Sequence, residues 1–240
     1  FLGKRSDEHD IYGAADRGYH AVSPFVFGQK LRRRALAILA DLGVPVKYAH
    51  SEVGYIEAVQ AEGMIWEQHE IELALQPLPA AADSVLLTQW VLRNLAHVHG
   101  MQCSTDPMMQ KGHAGNGLHF HLELIRDGHN IMAEIDGTLS EEARKLIGGL
   151  VDYASTLSAF GNTVAASFLR LVPNQEAPTR ICWGERNRSS LIRVPLDFRT
   201  AGRLDQVMNP AEDGPYPDLE EQATIEYRSP DGSAFAVLLP

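Results

Sequence analysis

Residues 112–124 read GHAGNGLHFHLEL. Leu118, Phe120 and Leu122 alternate with His119, His121 and Glu123, a period of two that predicts a strand with one apolar and one polar face. The approach, Gly112-His113-Ala114-Gly115-Asn116-Gly117, has enough glycine to bring backbone close to a ligand. Three other segments repeat the pattern. Val46–Val53 puts His50 and Glu52 on one face. Glu70–Leu75 sets Glu70 and Glu72 against Ile71, Leu73 and Leu75. Thr224, Glu226 and Arg228 share a face of a short strand whose other side carries Ile225 and Tyr227.

Helical periods separate these strands. Leu31, Ala35, Ile38 and Leu42 recur at helical spacing after Ser23-Pro24, a cap with proline in the first turn, and Gly43 closes the run. Lys30 and Arg32–Arg34 are read as its solvated face. Residues 54–67 read as an excursion punctuated by Gly63. Ala82–His99 is apolar nearly all round and stops at Gly100, which predicts a buried helix. Ser140 caps a further helix, with Glu141 and Glu142 in its first turn and Ala143, Leu146, Ile147, Leu150, Ala154 and Leu157 as its stripe. Phe1–His20 reads as a strand remnant followed by loop, Gly128 as a turn, and Thr200–Leu219 as loop. The expected fold is α+β: a mostly antiparallel sheet with flanking helices, one domain over residues 1–240. One sheet face is expected to carry His50, Glu52, Glu70, His119, His121, Glu226 and Arg228.

A chain of 240 residues can bury one good core, and 45% apolar with 22% charged residues is ordinary for a globular protein. The net charge of -10 argues against nucleic acid as a partner and suits acids grouped around divalent cations. With only Cys103 and Cys182, and no CxxC, neither a disulfide framework nor a cysteine zinc site is expected. No apolar run has the length of a membrane span and no signal peptide opens the chain, so the cytoplasm is the expected compartment. The chain opens at Phe1 and ends at Pro240 just after an apolar run, so both ends read as cut. A P-loop, a GxGxxG turn and a GxSxG elbow are all missing.

Carboxylates with one or two imidazoles suit magnesium or manganese better than zinc or copper. Residues 170–193, RLVPNQEAPTRICWGERNRSSLIR, supply the complementary charge: Arg170, Arg180, Arg186, Arg188 and Arg193, with Glu176 and Glu185 among them. Guanidinium forks match phosphate and carboxylate oxygens two at a time. A solvated, salt-bridged face is the competing explanation. On spacing alone the residues reach as far as an anion and metal site.

The wording of these segments is more specific than their charge. HSEV at residues 50–53, EQHEIE at 67–72, GNGLHFHLEL at 115–124, NTVAASFLRLVPNQEAP at 162–178, NRSxxIRVP at 187–195 and IEYRSPDGSA at 225–234 together resemble the catalytic core of the glutamine synthetase family, the ATP-dependent glutamate–ammonia ligases. The resemblance implies that Glu52 and Glu70 hold one Mg²⁺ or Mn²⁺, while His119 and Glu226 hold another. It implies that His121 lies against ATP, that Gly115, Arg170 and Arg228 bind glutamate, and that Arg188 and Arg193 attend the phosphates. Glu176 is implied on a flap that guards a γ-glutamyl phosphate and helps deprotonate ammonium. Glutamate, ammonium and ATP are the substrates implied, and a homo-oligomeric ring the assembly of the full-length protein. An amino-terminal β-grasp domain, an ExE strand and a carboxy-terminal helical portion have no counterpart in residues 1–240, so this stretch alone is not expected to catalyse the reaction. Ala114 stands where the family usually has Asn, Glu123 where it has Ser, the Glu52–Glu70 interval is long, and PDGSAFAV lacks an Asn-Pro. These departures point to a divergent branch. Its alternatives are a γ-glutamyl ligase for another amine and a non-catalytic homologue that keeps the fold.

Overall fold

The computed structural model describes residues 1–6, 18–57, 63–134, 136–173, 175–195 and 223–236. It divides into two compact units, Phe1–Asn116 with Phe160–Arg170 and Asp231–Pro240, and Gly117–Ala159 with Leu171–Pro230.

In the first unit, β1 (Leu2–Arg5), α1 (Gln29–Asp41), β2 (Val46–Ile56), β3 (Met64–Leu73), α2 (Leu78–Val98) and β4 (Gln102–Cys103) follow in chain order. The sheet order is β2-β3-β1-β4, and every pair is antiparallel. Ile71 and Leu73 turn inward against Leu39 of α1 and Val91 of α2, so the opposite face of β3 is left to Glu70 and Glu72. The excursion expected over 54–67 is much shorter than that. Tyr55 pairs with Glu67 and Ile56 with Trp66, so both strands continue and only residues 58–62 between them lie outside the described residues.

Helices α1 and α2 differ from their sequence patterns. Helix α1 begins at Gln29 rather than at Ser23-Pro24. The reason is Glu67, whose carboxylate accepts the amides of Phe27, at 3.0 Å, and of Gly28, and so supplies the cap at that point. Arg32, expected on the solvated face, is buried. Its Nη1 donates to His69 Nδ1 at 2.6 Å, and His69 Nε2 lies 2.7 Å from Glu67 Oε1. Burial pushes the pKa values of Arg32 and His69 down. The other end of α1 follows expectation, with Gly43 at φ 80° accepting the left-handed turn after Leu42. Helix α2 is not buried all round: Leu78, Leu86, Trp90 and Val98 remain exposed.

The second unit holds β5 (Phe120–Leu122), β6 (Ile125–Arg126), β7 (His129–Asn130), α3 (Glu141–Asp152) and the start of α4 (Ala154–Gly161). After α5 (Ser167–Arg170), which belongs to the first unit, come β8 (Arg180–Glu185), β9 (Ser190–Val194) and β10 (Ile225–Tyr227). The sheet order is β5-β10-β9-β8; β10 is antiparallel to both neighbours, while β8 and β9 are parallel. Asp127 and Gly128, at φ 52° and 82°, form the tight turn between β6 and β7. The stripe expected as one helix from Ser140 is carried by two, because the chain breaks at Tyr153. Ala143, Ile147, Leu150, Ala154 and Leu157 bury it against Leu191, Ile192, Ile225 and Tyr227.

Ser140 caps α3, accepting from the Ala143 amide at 3.0 Å, and donates to the Ile131 carbonyl at 2.6 Å. Ser140→Ala removes both bonds from a buried position and is expected to cost about 1–2 kcal/mol. A urea titration followed by circular dichroism measures it; an unchanged midpoint would remove Ser140 as the cap. Among the described residues no helix is long and apolar enough to cross a membrane. The loop expected over Thr200–Leu219 lies outside the described residues.

Candidate functional site

The residues expected on a single sheet face occupy two sheets. His50, Glu52 and Glu70 are in the first unit on β2 and β3; His119, His121, Glu226 and Arg228 are in the second, on or beside β5 and β10. Period-two alternation assigns residues to a face of their own strand and carries no information on which strands pair.

In the first unit the β2–β3 hairpin sets His50 opposite Glu70. His50 Nδ1 lies 3.7 Å from Glu52 Oε1, and His50 Nε2 3.8 Å from Glu70 Oε1. One ligand atom from each of the three falls within 4.8 Å of the others, a donor set that fits a divalent cation. Glu52 also accepts from the Val53 amide at 3.0 Å, which fixes one of its oxygens. Gly115 packs hard against its surroundings: a Cβ there would sit 2.6 Å from the Pro107 carbonyl oxygen and 2.8 Å from Arg170 Cγ. Only glycine brings backbone this close to Arg170. Ala114 beside it presents no polar side chain.

One contributor escaped the sequence reading. Gln68 is buried, accepts from the Gly54 amide at 3.1 Å, and donates to Gly115 O at 2.9 Å and Asn116 Oδ1 at 3.1 Å. It ties the β2–β3 hairpin to the glycine-rich approach. The Glu70 alternation puts it in phase with Glu70 and Glu72, on the polar side, so nothing in the strand period marked it as buried.

The second unit gathers the opposite charges around one acid. Glu226, on β10, is 2% exposed. His119 Nδ1 lies 3.1 Å from its Oε1, Arg228 Nη1 donates to the same oxygen at 2.7 Å, and Arg193 is ion-paired with Oε2. The β-register explains the meeting, since Glu226 pairs with His121 on one side and Arg193 on the other. Burial alone would raise the Glu226 carboxyl; His119, Arg228 and Arg193 outweigh it and hold the pKa down at about 2. Burial pushes Arg228 down from its usual value, with Glu226 opposing. Arg228 Nη2 also donates to the Glu176 carbonyl at 3.1 Å, and Arg188 Nη1 to the Glu176 carboxylate at 2.8 Å. His121 Nδ1 lies 3.2 Å from Thr224 Oγ1. The arrangement is a buried carboxylate beside a partly exposed imidazole, flanked by guanidiniums, suited to a cation and to the phosphate oxygens it would neutralise.

A model of the family "Glutamine synthetase, catalytic domain" matches residues 4–238. The chain belongs to the glutamine synthetase family. A glutamine synthetase of Thermococcus kodakarensis is 32% identical over 234 residues, covering 98% of this chain and 45% of the relative. One of Methylococcus capsulatus is 35% identical over 218 residues, covering 90% and 40%. The cryo-EM structure of Plasmodium falciparum glutamine synthetase superposes at a TM-score of 0.75 with 25% identity, covering 94% of this chain and 38% of that one. The chain thus spans about half the length of the glutamine synthetases it resembles, and its α+β architecture is theirs.

Proposed function

We propose that the protein carrying this domain joins glutamate and ammonia with hydrolysis of ATP, through γ-glutamyl phosphate. The observation that carries the reading is Glu226: a carboxylate buried among His119, Arg193 and Arg228, in a family whose members are glutamine synthetases. An isolated structural carboxylate does not need three cationic partners.

In this reading Glu52 and Glu70 hold one divalent cation and His119 and Glu226 another, as Mg²⁺ or Mn²⁺. The ions supply charge neutralisation at the nucleotide phosphates. Arg170, Arg228 and the Gly115 backbone receive glutamate, and His121 lies against ATP. A γ-carboxylate oxygen of glutamate attacks the γ-phosphorus, ADP leaves, and Arg188 and Arg193 match the charge on the transferred phosphoryl group. Ammonia then attacks the acyl carbon, phosphate leaves, and Glu176 accepts a proton from the ammonium nitrogen. The homo-oligomeric ring and the cytoplasmic compartment belong to the same proposal for the full-length protein.

The test is a coupled measurement on the full-length protein with ATP, Mg²⁺, glutamate and ammonium. Phosphate and glutamine released one for one is the expected result. ATP binding without either product would overturn it. Ala114, which removes a polar group next to Gly115, favours a second reading in which another amine replaces ammonia. Phosphate release with ethanolamine or a polyamine but not with ammonium would select that reading.

A further inference from the structure

Asp231 has no part in the roles assigned so far, yet it is fully buried in the first unit. The donors it meets among the described residues are neutral. Asn162 Nδ2 donates to Oδ2 at 2.9 Å, and the Ser233 amide and hydroxyl donate to Oδ1 at 2.9 and 2.6 Å. A carboxylate away from water costs more than a neutral side chain of the same size, so its place here calls for a reason. A carboxylate can only accept, which fixes the direction of each bond. The Ser233 hydroxyl proton is committed to Asp231. The Ser233 hydroxyl oxygen then accepts from the Thr163 amide at 3.1 Å and from the Ser167 hydroxyl at 3.4 Å.

That last contact reaches the start of α5, a helix of a single turn and too short to hold itself. Phe168 and Leu169 are exposed, and the buried residues of α5 are Ser167 and Arg170. The helix is therefore placed at two points. Ser167 is held by Ser233. Arg170 lies along the Gly115 backbone, with Cγ 2.8 Å and Cδ 3.1 Å from where a Cβ of that glycine would stand. The chain leading into α5 is fastened to the same segment. Thr163 Oγ1 donates to the Ser233 carbonyl at 2.8 Å, the Asp231 amide to the Gly161 carbonyl at 3.1 Å, and the Phe235 amide to the Phe160 carbonyl at 2.9 Å. Asp231 stands where these bonds converge.

We propose that Asp231 is a positioning residue for glutamate binding: by ordering Ser233 against Thr163 and Ser167, it sets the place of Arg170 beside Gly115. The inference rests on the reading of Arg170 as a glutamate ligand. Asp231, fully buried, acts through that arginine and does not touch the substrate. A guanidinium meets a carboxylate through two parallel bonds, so a small displacement spoils the match. A misplacement of about 1 Å can cost on the order of 10²-fold.

The test measures glutamate binding to the full-length protein by calorimetry, with Mg²⁺ and a non-hydrolysable ATP analogue present, alongside steady-state kinetics. Asp231→Asn sets an NH2 group against another donor, Asn162 Nδ2 or the Ser233 amide, and Asn162→Asp sets two carboxylates together. Each is expected to weaken glutamate binding and raise its KM at least about tenfold, with binding of the ATP analogue unchanged. The double variant Asp231→Asn/Asn162→Asp pairs a donor with an acceptor again and should recover most of the loss. A merely structural role would lower the active fraction, and so kcat, at constant KM; thermal melting records the fold. Ser233→Ala, which cuts the link to Ser167, should raise the glutamate KM in the same way if the Asp231 and Asn162 variants do not fold. Unchanged glutamate binding in Asp231→Asn and Ser233→Ala, a fall in kcat alone, or no recovery in the double variant overturns the role of Asp231, provided Arg170→Ala still weakens glutamate binding. Wild type that binds no glutamate, or Arg170→Ala that binds it as wild type does, overturns the reading of Arg170 and the inference with it.

Discussion

Glu226→Ala is expected to lower the stability of the metal-free protein by about 3–5 kcal/mol. The substitution leaves Arg228, 4% exposed at its side chain, without the carboxylate that its Nη1 meets at 2.7 Å, and strips Arg193 and His119 of the same partner. The cost comes from burying uncompensated cations far more than from the lost attraction itself. Chemical denaturation of wild type and variant measures it, and a difference below about 1 kcal/mol, the scale of an exposed pair, would show that these charges are open to water. The pH dependence has a definite sign. Because the folded carboxyl titrates at about 2, below its ordinary 4.5, its stabilisation is complete above pH 4.5 and is lost as the pH falls from there toward 2. Glu226→Gln, which cannot ionise, should remove that component of the acid transition.

Arg188→Ala should act on turnover and scarcely on stability. The Arg188–Glu176 pair is 56% and 64% exposed at its side chains, and such a pair contributes at most about 1 kcal/mol. If Arg188 meets the phosphoryl group, its charge counts most where negative charge develops. Loss of one such donor lowers kcat on the order of 10²–10³-fold. Steady-state kinetics of the full-length enzyme checks this, with thermal melting as the control for folding. A rise in KM for glutamate at constant kcat would reassign Arg188 to ground-state binding.

The same two sites show what sequence can carry. Alternation placed Glu226 and Arg228 on one strand face and Ile225 and Tyr227 in the core, and the structure has them there, because a strand's own pleat dictates it. The Ser140 cap was equally local. The gathering of His119 and Arg193 on Glu226 depends on the β5-β10-β9 order, which no single strand encodes. Arg32 failed for a related reason: its basic neighbours are solvated, but its burial depends on His69 and Glu67, more than thirty residues away in sequence. Gln68 is the same case, a polar residue whose three partners come from other segments. Helix α2 shows the limit for apolar residues, since an all-round apolar sequence does not state which side is covered.

That exposed apolar surface has a practical consequence for handling this domain in isolation. Trp90 is 60% and Val98 77% exposed, alongside Leu78 and Leu86, on a chain of net charge -10. Mutual repulsion keeps molecules apart while it reaches beyond their surfaces, and added salt shortens that reach from about 10 Å at 0.1 M to about 3 Å at 1 M. Colloidal behaviour should therefore worsen with ionic strength, with light scattering rising in concentrated sodium chloride and falling again on dilution into low-salt buffer.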